Sequence, residues 1–322
     1  MPARAPMVVF GSLNVDSTSY VAAFPAPGET ILARGFRVAL GGKGSNQAVA
    51  AHVAGASVDL VARIGTDASG DFAVTTLERF GVSTGAIVRI ADAPTGVAQI
   101  TVADSGENTV IVTGGANLAL TPAIVDAERD CIAASALVLT QGELPVDTIE
   151  RLAAVTAELG VRFVLNLAPP APVDRAALGT CDPLVLNEHE ARAVGVGTDA
   201  PAGASLDEWR AIAASVAGND ADSIARSVVV TLGAAGAVAA SAVGSWTAEA
   251  PRVTAVDTTG AGDGFTGTLA AFLAEGSPLD EALRIAVAAG ALAVQARGTV
   301  DSYAPRAAVL AAAGMSEEAV GS

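Results

Sequence analysis

The run SVVVTLGAAGAVAASAVGSWTA, Ser227 to Ala248, decides the fold, because it carries no charge and is long enough for a membrane span of about 20 residues. Gly233, Gly236 and Gly244 interrupt it, and Val228 to Thr231 is β-branched. Such side chains suit a pleated surface and glycines suit turns, so the run reads as strand, turn, strand, and no membrane partner is expected. Short apolar runs of the same kind recur at Met7 to Gly11, Val58 to Ile64, Ala136 to Thr140, Arg162 to Leu167 and Pro183 to Leu186. Between them lie Ala- and Leu-rich amphipathic stretches at Asn46 to Gly55, Asp71 to Phe80, Pro122 to Ser135, Val146 to Gly160 and Ser205 to Val216. Several open on a capping residue, such as Thr121 before Pro122. Parallel strands joined by crossover helices give this rhythm. The predicted fold is doubly wound α/β, a mainly parallel sheet flanked by helices.

Two segments break the alternation. Ser17 to Leu40 and Thr95 to Thr113 alternate polar and apolar residues around turns at Pro27-Gly28 and Asp104-Ser105-Gly106, the pattern of antiparallel hairpins. They are expected to form one small sheet, a lid built from segments 13–42 and 95–114, over a single domain spanning 1–322. The chain has 322 residues, 51% of them hydrophobic, enough for one large core with a small appendage. Its net charge of -16 would repel a phosphate backbone, so nucleic acid is not an expected partner. A nucleotide is still compatible, since backbone N–H groups and Mg²⁺ can neutralise phosphates. Cys131 and Cys181 lack CxxC spacing and suggest neither a disulfide nor a zinc site. Met7 to Phe10 is too short for a signal-peptide core, and a reduced, cytoplasmic setting is expected.

Polar residues gather where the strands end. Asn14 and Asp16 follow the first, Gly65 and Asp67 the second, Glu143 the third, Asn166 the fourth, Asn187 and Glu190 the fifth, Thr231 and Gly233 the sixth. Ligands of open parallel sheets bind beyond the carboxyl ends of the strands, so this row describes a polar cleft. GGKGSN, Gly41 to Asn46, is not a Walker A loop, because Lys43 is followed by Gly44 and the first position is Arg37. It reads equally as a binding loop or as a hairpin end leading into a helix capped by Asn46. Gly195-x-Gly197 follows a helical stretch, which argues against a dinucleotide fingerprint. DTTGAGD, Asp257 to Asp263, lies between the strand-like Val253 to Val256 and the helical Phe265 to Leu273. Its glycines let N–H groups converge at a helix N-terminus as an anion hole. Asp263 in that first turn is then a general base beside a phosphate, in preference to a helix-dipole partner. His52 and His189 form no metal or triad pattern and read as helix or surface residues. Asn187 and Glu190 sit one helical turn apart, as a capping pair or an outer-shell Mg²⁺ site.

GSLNVD (Gly11 to Asp16), FPAPGET (Phe24 to Thr30), GGKGSNQA (Gly41 to Ala48), TGVA (Thr95 to Ala98), NEHE, TLG (Thr231 to Gly233) and DTTGAGD follow in order along nearly the whole chain. Together they resemble the signature set of the ribokinase family of carbohydrate kinases. The resemblance implies an ATP-dependent kinase that phosphorylates the 5-hydroxyl of D-ribose, and a homodimer joined through the lids. It assigns Asn14, Asp16, Gly42, Lys43, Asn46 and Glu143 to the sugar hydroxyls and Asp263 to the base. Asn187 and Glu190 match the pair near Mg²⁺ and the phosphates. Thr231, Gly233 and Gly236 match the nucleotide loop, with the N–H groups of Gly260, Ala261 and Gly262 on the moving phosphoryl. Asp257, the carbonyls of Thr259, Ala293, Ala296 and Gly298, and the Ser302 hydroxyl match a monovalent-cation site, usually filled by K⁺. The chain departs from the family pattern at Asn166-Leu167-Ala168-Pro169 and at Gln141-Gly142. A phosphosugar acceptor would need Lys or Arg beside Asn14 and Asp16, and none is there. A nucleoside would need an apolar slot, for which Phe24, Phe36 and Ile100 are available. A sensing module without turnover is a further reading, but it would not need Asp263 and an intact Gly260 to Gly262 loop.

Overall fold

Alternation of side chains along the central strands fixes two apolar faces, and the helices divide between them. In the computed structural model, which describes residues 6–317, the strands are β1 (Pro6–Phe10), β2 (Asn14–Val21), β3 (Gly35–Gly41), β4 (Ser57–Gly65), β5 (Ile87–Ile90), β6 (Gly96–Ala103), β7 (Asn108–Thr113), β8 (Leu137–Gln141), β9 (Arg162–Asn166), β10 (Leu184–Asn187), β11 (Ser227–Thr231), β12 (Gly236–Ser241) and β13 (Gly244–Glu249). The helices are α1 (Lys43–Val53), α2 (Ala68–Phe80), α3 (Pro122–Ala127), α4 (Arg129–Ala133), α5 (Val146–Leu159), α6 (Arg175–Leu178), α7 (Glu188–Ala193), α8 (Leu206–Val216), α9 (Ala261–Ala274), α10 (Leu279–Ala293) and α11 (Arg306–Ala312). Nine strands form the main sheet in the order β13-β12-β11-β10-β9-β8-β1-β4-β5. From β11 across to β5 the pairs are parallel, and β12 and β13 complete the sheet as an antiparallel meander. The uncharged run Ser227 to Ala248 is therefore three sheet strands, and no helix among the described residues is long and apolar enough to cross a membrane.

In β1, Met7 and Val9 join the core under α1, α9 and α10, while Val8 and Phe10 join the core on the opposite face with α5 and α8. Burial on both faces is why the strands read as continuous apolar runs. The two excursions meet in a separate four-stranded sheet, β3-β2-β6-β7. Its central pair is parallel, from Asn14 opposite Gly96 to Val21 opposite Ala103, so neither hairpin could complete it alone.

Three expectations change. The stretch Pro122 to Ser135 is not one helix, because Glu128 (φ -94°, ψ 13°) separates α3 from α4. Val253 to Val256 forms no strand. The edge strand β13 ends at Glu249, and the N–H groups of Val256 and Asp257 instead bond to the carbonyl of Val294 at the end of α10. Asn46 does not cap a helix, since α1 already begins at Lys43 with Gly42 as its N-cap at φ 88°. Only glycine fits at position 42, where that left-handed φ combines with a close approach: a Cβ would lie 2.8 Å from Asn14 N. Gly44 then lets α1 rest on the end of β1, for a Cβ there would lie 2.4 Å from Gly11 Cα. Asn46 is thereby freed to project from the first turn into the cleft.

Candidate active site

The N-terminal turn of α1 points at Glu143. Lys43 N donates to Glu143 Oε2 at 3.0 Å, the Ser12 hydroxyl donates to the same oxygen, and Gly44 N donates to Ser12 Oγ at 3.2 Å. A carboxylate is well placed there, against the positive end of a helix dipole. The Lys43 ammonium is held above its ordinary range chiefly by the Asp263 charge, with burial opposing and Glu143 and Glu190 adding to it.

Asp263 lies in the first turn of α9, 6% exposed. Asn46 Nδ2 donates to its Oδ2 and Gln47 Nε2 to its Oδ1, each at 2.9 Å. Gln47 Nε2 also donates to Asn166 Oδ1 at 2.9 Å, and Asn166 Nδ2 to the carbonyl of Val185 at 3.1 Å. On the small sheet, Leu13 N donates to Asn117 Oδ1 at 2.9 Å and Asn117 Nδ2 to Asn14 Oδ1 at 2.7 Å. Because the backbone donor fixes Asn117, Asn14 keeps its own Nδ2 free to donate to an acceptor. Burial, then the nearby Glu143 and Asp263 charges, raise the Asp16 carboxyl to about 6. Of the expected hydroxyl ligands, Asn46 is tied to Asp263 by a hydrogen bond and Asp16 and Lys43 by charge, Glu143 acts on both of the latter, Gly42 caps α1, and Asn14 is held by Asn117.

A cavity of about 450 Å³ opens beside them, lined by Thr231, Gly233, Gly236, Ala261 and Gly262 and walled by Val253, Phe265 and Val287. Its polar edge is the turn before α9. There Gly260 N and Gly262 N have no partner among the described residues, whereas Ala261 N makes a 3.3 Å bond to the Thr258 carbonyl. Tyr303 Oη donates to the Gly260 carbonyl at 3.1 Å and holds the turn in place. Asn187 and Glu190 form a complete capping box on α7, with Glu190 N donating to Asn187 Oδ1 at 2.8 Å and Asn187 N to Glu190 Oε2 at 2.7 Å. The capping reading of this pair is correct, yet Glu190 is also buried, and burial pushes its carboxyl up while the Asn187 N–H and the Lys43 charge oppose. A cavity of about 500 Å³ lined by Arg175, Thr180, Asp220 and Arg226 contains none of these residues.

The expected cation ligands come from two segments, Asp257 and Thr259 before α9, and Ala293, Ala296, Gly298 and Ser302 from the end of α10 onward. Asp257 Oδ1 accepts from Thr259 N and Oδ2 from Gly298 N, both at 3.0 Å. Although burial works to raise it, these bonds and the Arg37 charge hold the Asp257 carboxyl below its usual range. Ser302 Oγ donates to the Thr299 carbonyl at 2.7 Å, keeping its lone pairs available. Ala293 ends α10 and Ala296 N donates to its carbonyl at 3.3 Å. Arg37, from β3, leans on this turn and pairs with Asp301 at 3.3 Å.

Ser12, Gln47 and Asn117 belong to the site and were not singled out from the sequence. The signal for Gln47 was its place beside Asn46 in GGKGSNQA, whereas nothing local to Asn117 marks it. Comparison with known proteins adds the following. The profile of pfkB family carbohydrate kinases matches residues 5–306. The chain is 35% identical to a ribokinase of Schizosaccharomyces pombe, covering 92% of this chain and 94% of the relative. It is 32% identical to a deoxyribokinase of Salmonella typhi, covering 92% and 95%. The structure of Arabidopsis thaliana ribokinase complexed with ribose and ATP superposes with a TM-score of 0.87 at 30% identity, covering 98% of this chain and 100% of that one.

The raised Asp16 carboxyl predicts a pH signature in the ligand-free protein. A folded value near 6 against 3.8 unfolded means that stability is full below the unfolded value and is lost as pH rises through the folded one. Asp16→Asn should therefore melt above the parent at neutral pH, with the gap narrowing as pH falls below about 6 and closing near 3.8. Thermal melts across that range check this, and a gap that widens on acidification contradicts it.

Proposed function

This chain belongs to the pfkB family of carbohydrate kinases, and from that premise we propose that it transfers the γ-phosphoryl group of ATP to the 5-hydroxyl of D-ribose. The observation that carries the reading is the Asp263 carboxylate, held by Asn46 and Gln47 at the head of α9, between a cluster of hydroxyl-binding side chains and an apolar-walled cavity. Phosphoryl transfer has a loose transition state that asks for alignment and charge neutralisation more than covalent help. Asn14, Asp16, Lys43, Asn46 and Glu143 orient the sugar, whose vicinal hydroxyls suit such donors and acceptors. Asp263 aligns the 5-hydroxyl and takes its proton late. The N–H groups of Gly260, Ala261 and Gly262 stabilise charge on the phosphoryl oxygens, Ala261 N giving up only its 3.3 Å bond to Thr258. Thr231, Gly233 and Gly236 border the nucleotide.

Three carboxylates, Glu143, Glu190 and Asp263, act on one ammonium, Lys43, and a fourth, Asp16, stands near Glu143 and Asp263. That excess of hard oxygen donors fits Mg²⁺ carried in with ATP, near Asn187 and Glu190, where it would neutralise phosphate charge. Asp257, Ser302 and the carbonyls of Thr259, Ala293, Ala296 and Gly298 are all oxygen donors beside an ionised carboxylate, which suits K⁺. The cation would order the turn that carries the anion hole. The small sheet acts as a lid that excludes water. On one of its faces Phe36 and Ile111 are more than half exposed, and the same face of a second copy covers them.

A coupled ADP-release screen tests the acceptor, with D-ribose expected to give a higher kcat/KM than fructose, 2-deoxyribose or adenosine. A higher value for 2-deoxyribose or for any nucleoside overturns the assignment to ribose. Replacing K⁺ with a bulky organic cation should lower the rate, and equal rates remove the cation proposal. Sedimentation should give a dimer that Ile111→Asp converts to a monomer, whereas a monomeric parent rejects the lid interface.

A further inference from the structure

Gln47 is fully buried between α1, α9 and β9, and its amide orientation is forced. Nε2 faces two acceptors, Asn166 Oδ1 and Asp263 Oδ1, both at 2.9 Å. A rotated amide would set an oxygen against both. Asn166 is fixed in turn, because its Nδ2 donates to the main-chain carbonyl of Val185 in β10. The chain from Val185 through Asn166 and Gln47 to Asp263 Oδ1 thus ties one carboxylate oxygen to the sheet.

The other oxygen is held differently. Asp263 Oδ2 accepts from Asn46, whose own Oδ1 is buried without a partner. A hydroxyl arriving at this point finds an unpaired acceptor on Asn46 and an oxygen of Asp263 held only by that same amide. The terminal torsion of an Asp side chain is broad and roughly two-fold, so nothing within Asp263 decides which oxygen faces the cleft. We infer that Gln47, anchored by Asn166, is a positioning residue that pins Asp263 Oδ1 and reserves Oδ2 as the atom that receives the acceptor's proton.

This inference rests on the phosphotransfer reading of the site. In the step, the acceptor O–H bond breaks and its proton passes to Asp263 Oδ2. The oxygen's electron pair forms the bond to the γ-phosphorus, and the bond from that phosphorus to the β,γ-bridging oxygen breaks, its pair leaving on ADP. The carboxylate must then present one lone pair in line, and a small misplacement is costly. Stability alone does not account for Gln47. Its Oε1 is buried and unpartnered, as are both amide atoms of Gln141, which stands opposite Asn166 in the sheet. Buried orphans destabilise a fold, so Gln47 brings a cost alongside the two bonds it gives to Asn166 and Asp263.

The test is Gln47→Met, a side chain of similar length without the donor, assayed with whichever neutral sugar the parent turns over fastest. Failure of the ribose assignment therefore leaves this test intact. The expected result is a fall in kcat of roughly 10- to 100-fold, with KM for sugar and ATP changed less than about three-fold; some melting temperature is lost as well, because Asp263 Oδ1 and Asn166 Oδ1 lose their shared donor. Asn166→Ser, which leaves Gln47 in place but unanchored, should show the same split more weakly and add nothing to Gln47→Met in the double variant. Should Gln47→Met not fold, Asn166→Ser alone carries that split. A kcat within about two-fold of the parent overturns the inference, as does a fall matched by weaker sugar binding, or strict additivity of the two substitutions.

Discussion

Burying a carboxylate is unfavourable unless hydrogen bonds replace the water it loses, and Asp263 imposes that condition on everything around it. Two side-chain amides from one helix supply the bonds, Asn46 to Oδ2 and Gln47 to Oδ1. They reach it only because α1 begins where it does and lies close against both the sheet and α9. Closeness is set by missing side chains: a Cβ on Gly44 would strike Gly11, and a Cβ on Gly267 of α9 would lie 2.4 Å from the Gln47 carbonyl. The glycines of GGKGSN therefore act by letting a helix approach, a role distinct from that of a phosphate loop.

The same packing explains why negative charge accumulates here without unfolding the domain. Glu143 sits on the N-terminal N–H groups of α1, Glu190 is held by the Asn187 N–H, and Lys43 stands among them. Asp16 is buried beside the Glu143 and Asp263 charges, and its carboxyl is pushed up to about 6. Strain of this kind is common where titratable groups converge on a functional cleft. Hydroxyl donors from a sugar would relieve it by favouring the ionised form, which gives the site a reason to prefer a polyol.

Much of this was legible along the chain because the signals are local. Apolar runs located the strands β1, β4, β8, β9, β10 and β11, and a dense glycine turn before an Asp located the head of α9. The errors have physical causes. Asn46 looks like a cap because Asn often is one, and only the left-handed Gly42 moves the helix start three residues earlier. Val253 to Val256 has strand composition, but the N–H groups of Val256 and Asp257 bond to the Val294 carbonyl after α10 instead of to a strand. Pro122 to Ser135 keeps helical composition through Glu128, where the backbone nevertheless turns. Gln47, Asn117 and Ser12 were missed because their meaning lies in partners far away in sequence: Asp263, Asn14 and Glu143. No spacing rule encodes such contacts.

Asp263 either takes a proton in the transfer or merely complements the dipole of α9. Asp263→Asn keeps the size of the side chain, and Asn46 can turn its unpartnered Oδ1 toward the new amide, so the site can retain its shape. Measured together on this variant, kcat should fall by about 10²- to 10⁴-fold, as loss of a general base requires, while calorimetric affinities for sugar and ATP and the melting temperature change little. Turnover near the parent rate with a loss of stability of about 0.3–1 kcal/mol is what a dipole partner alone would give, and that result would contradict the mechanism.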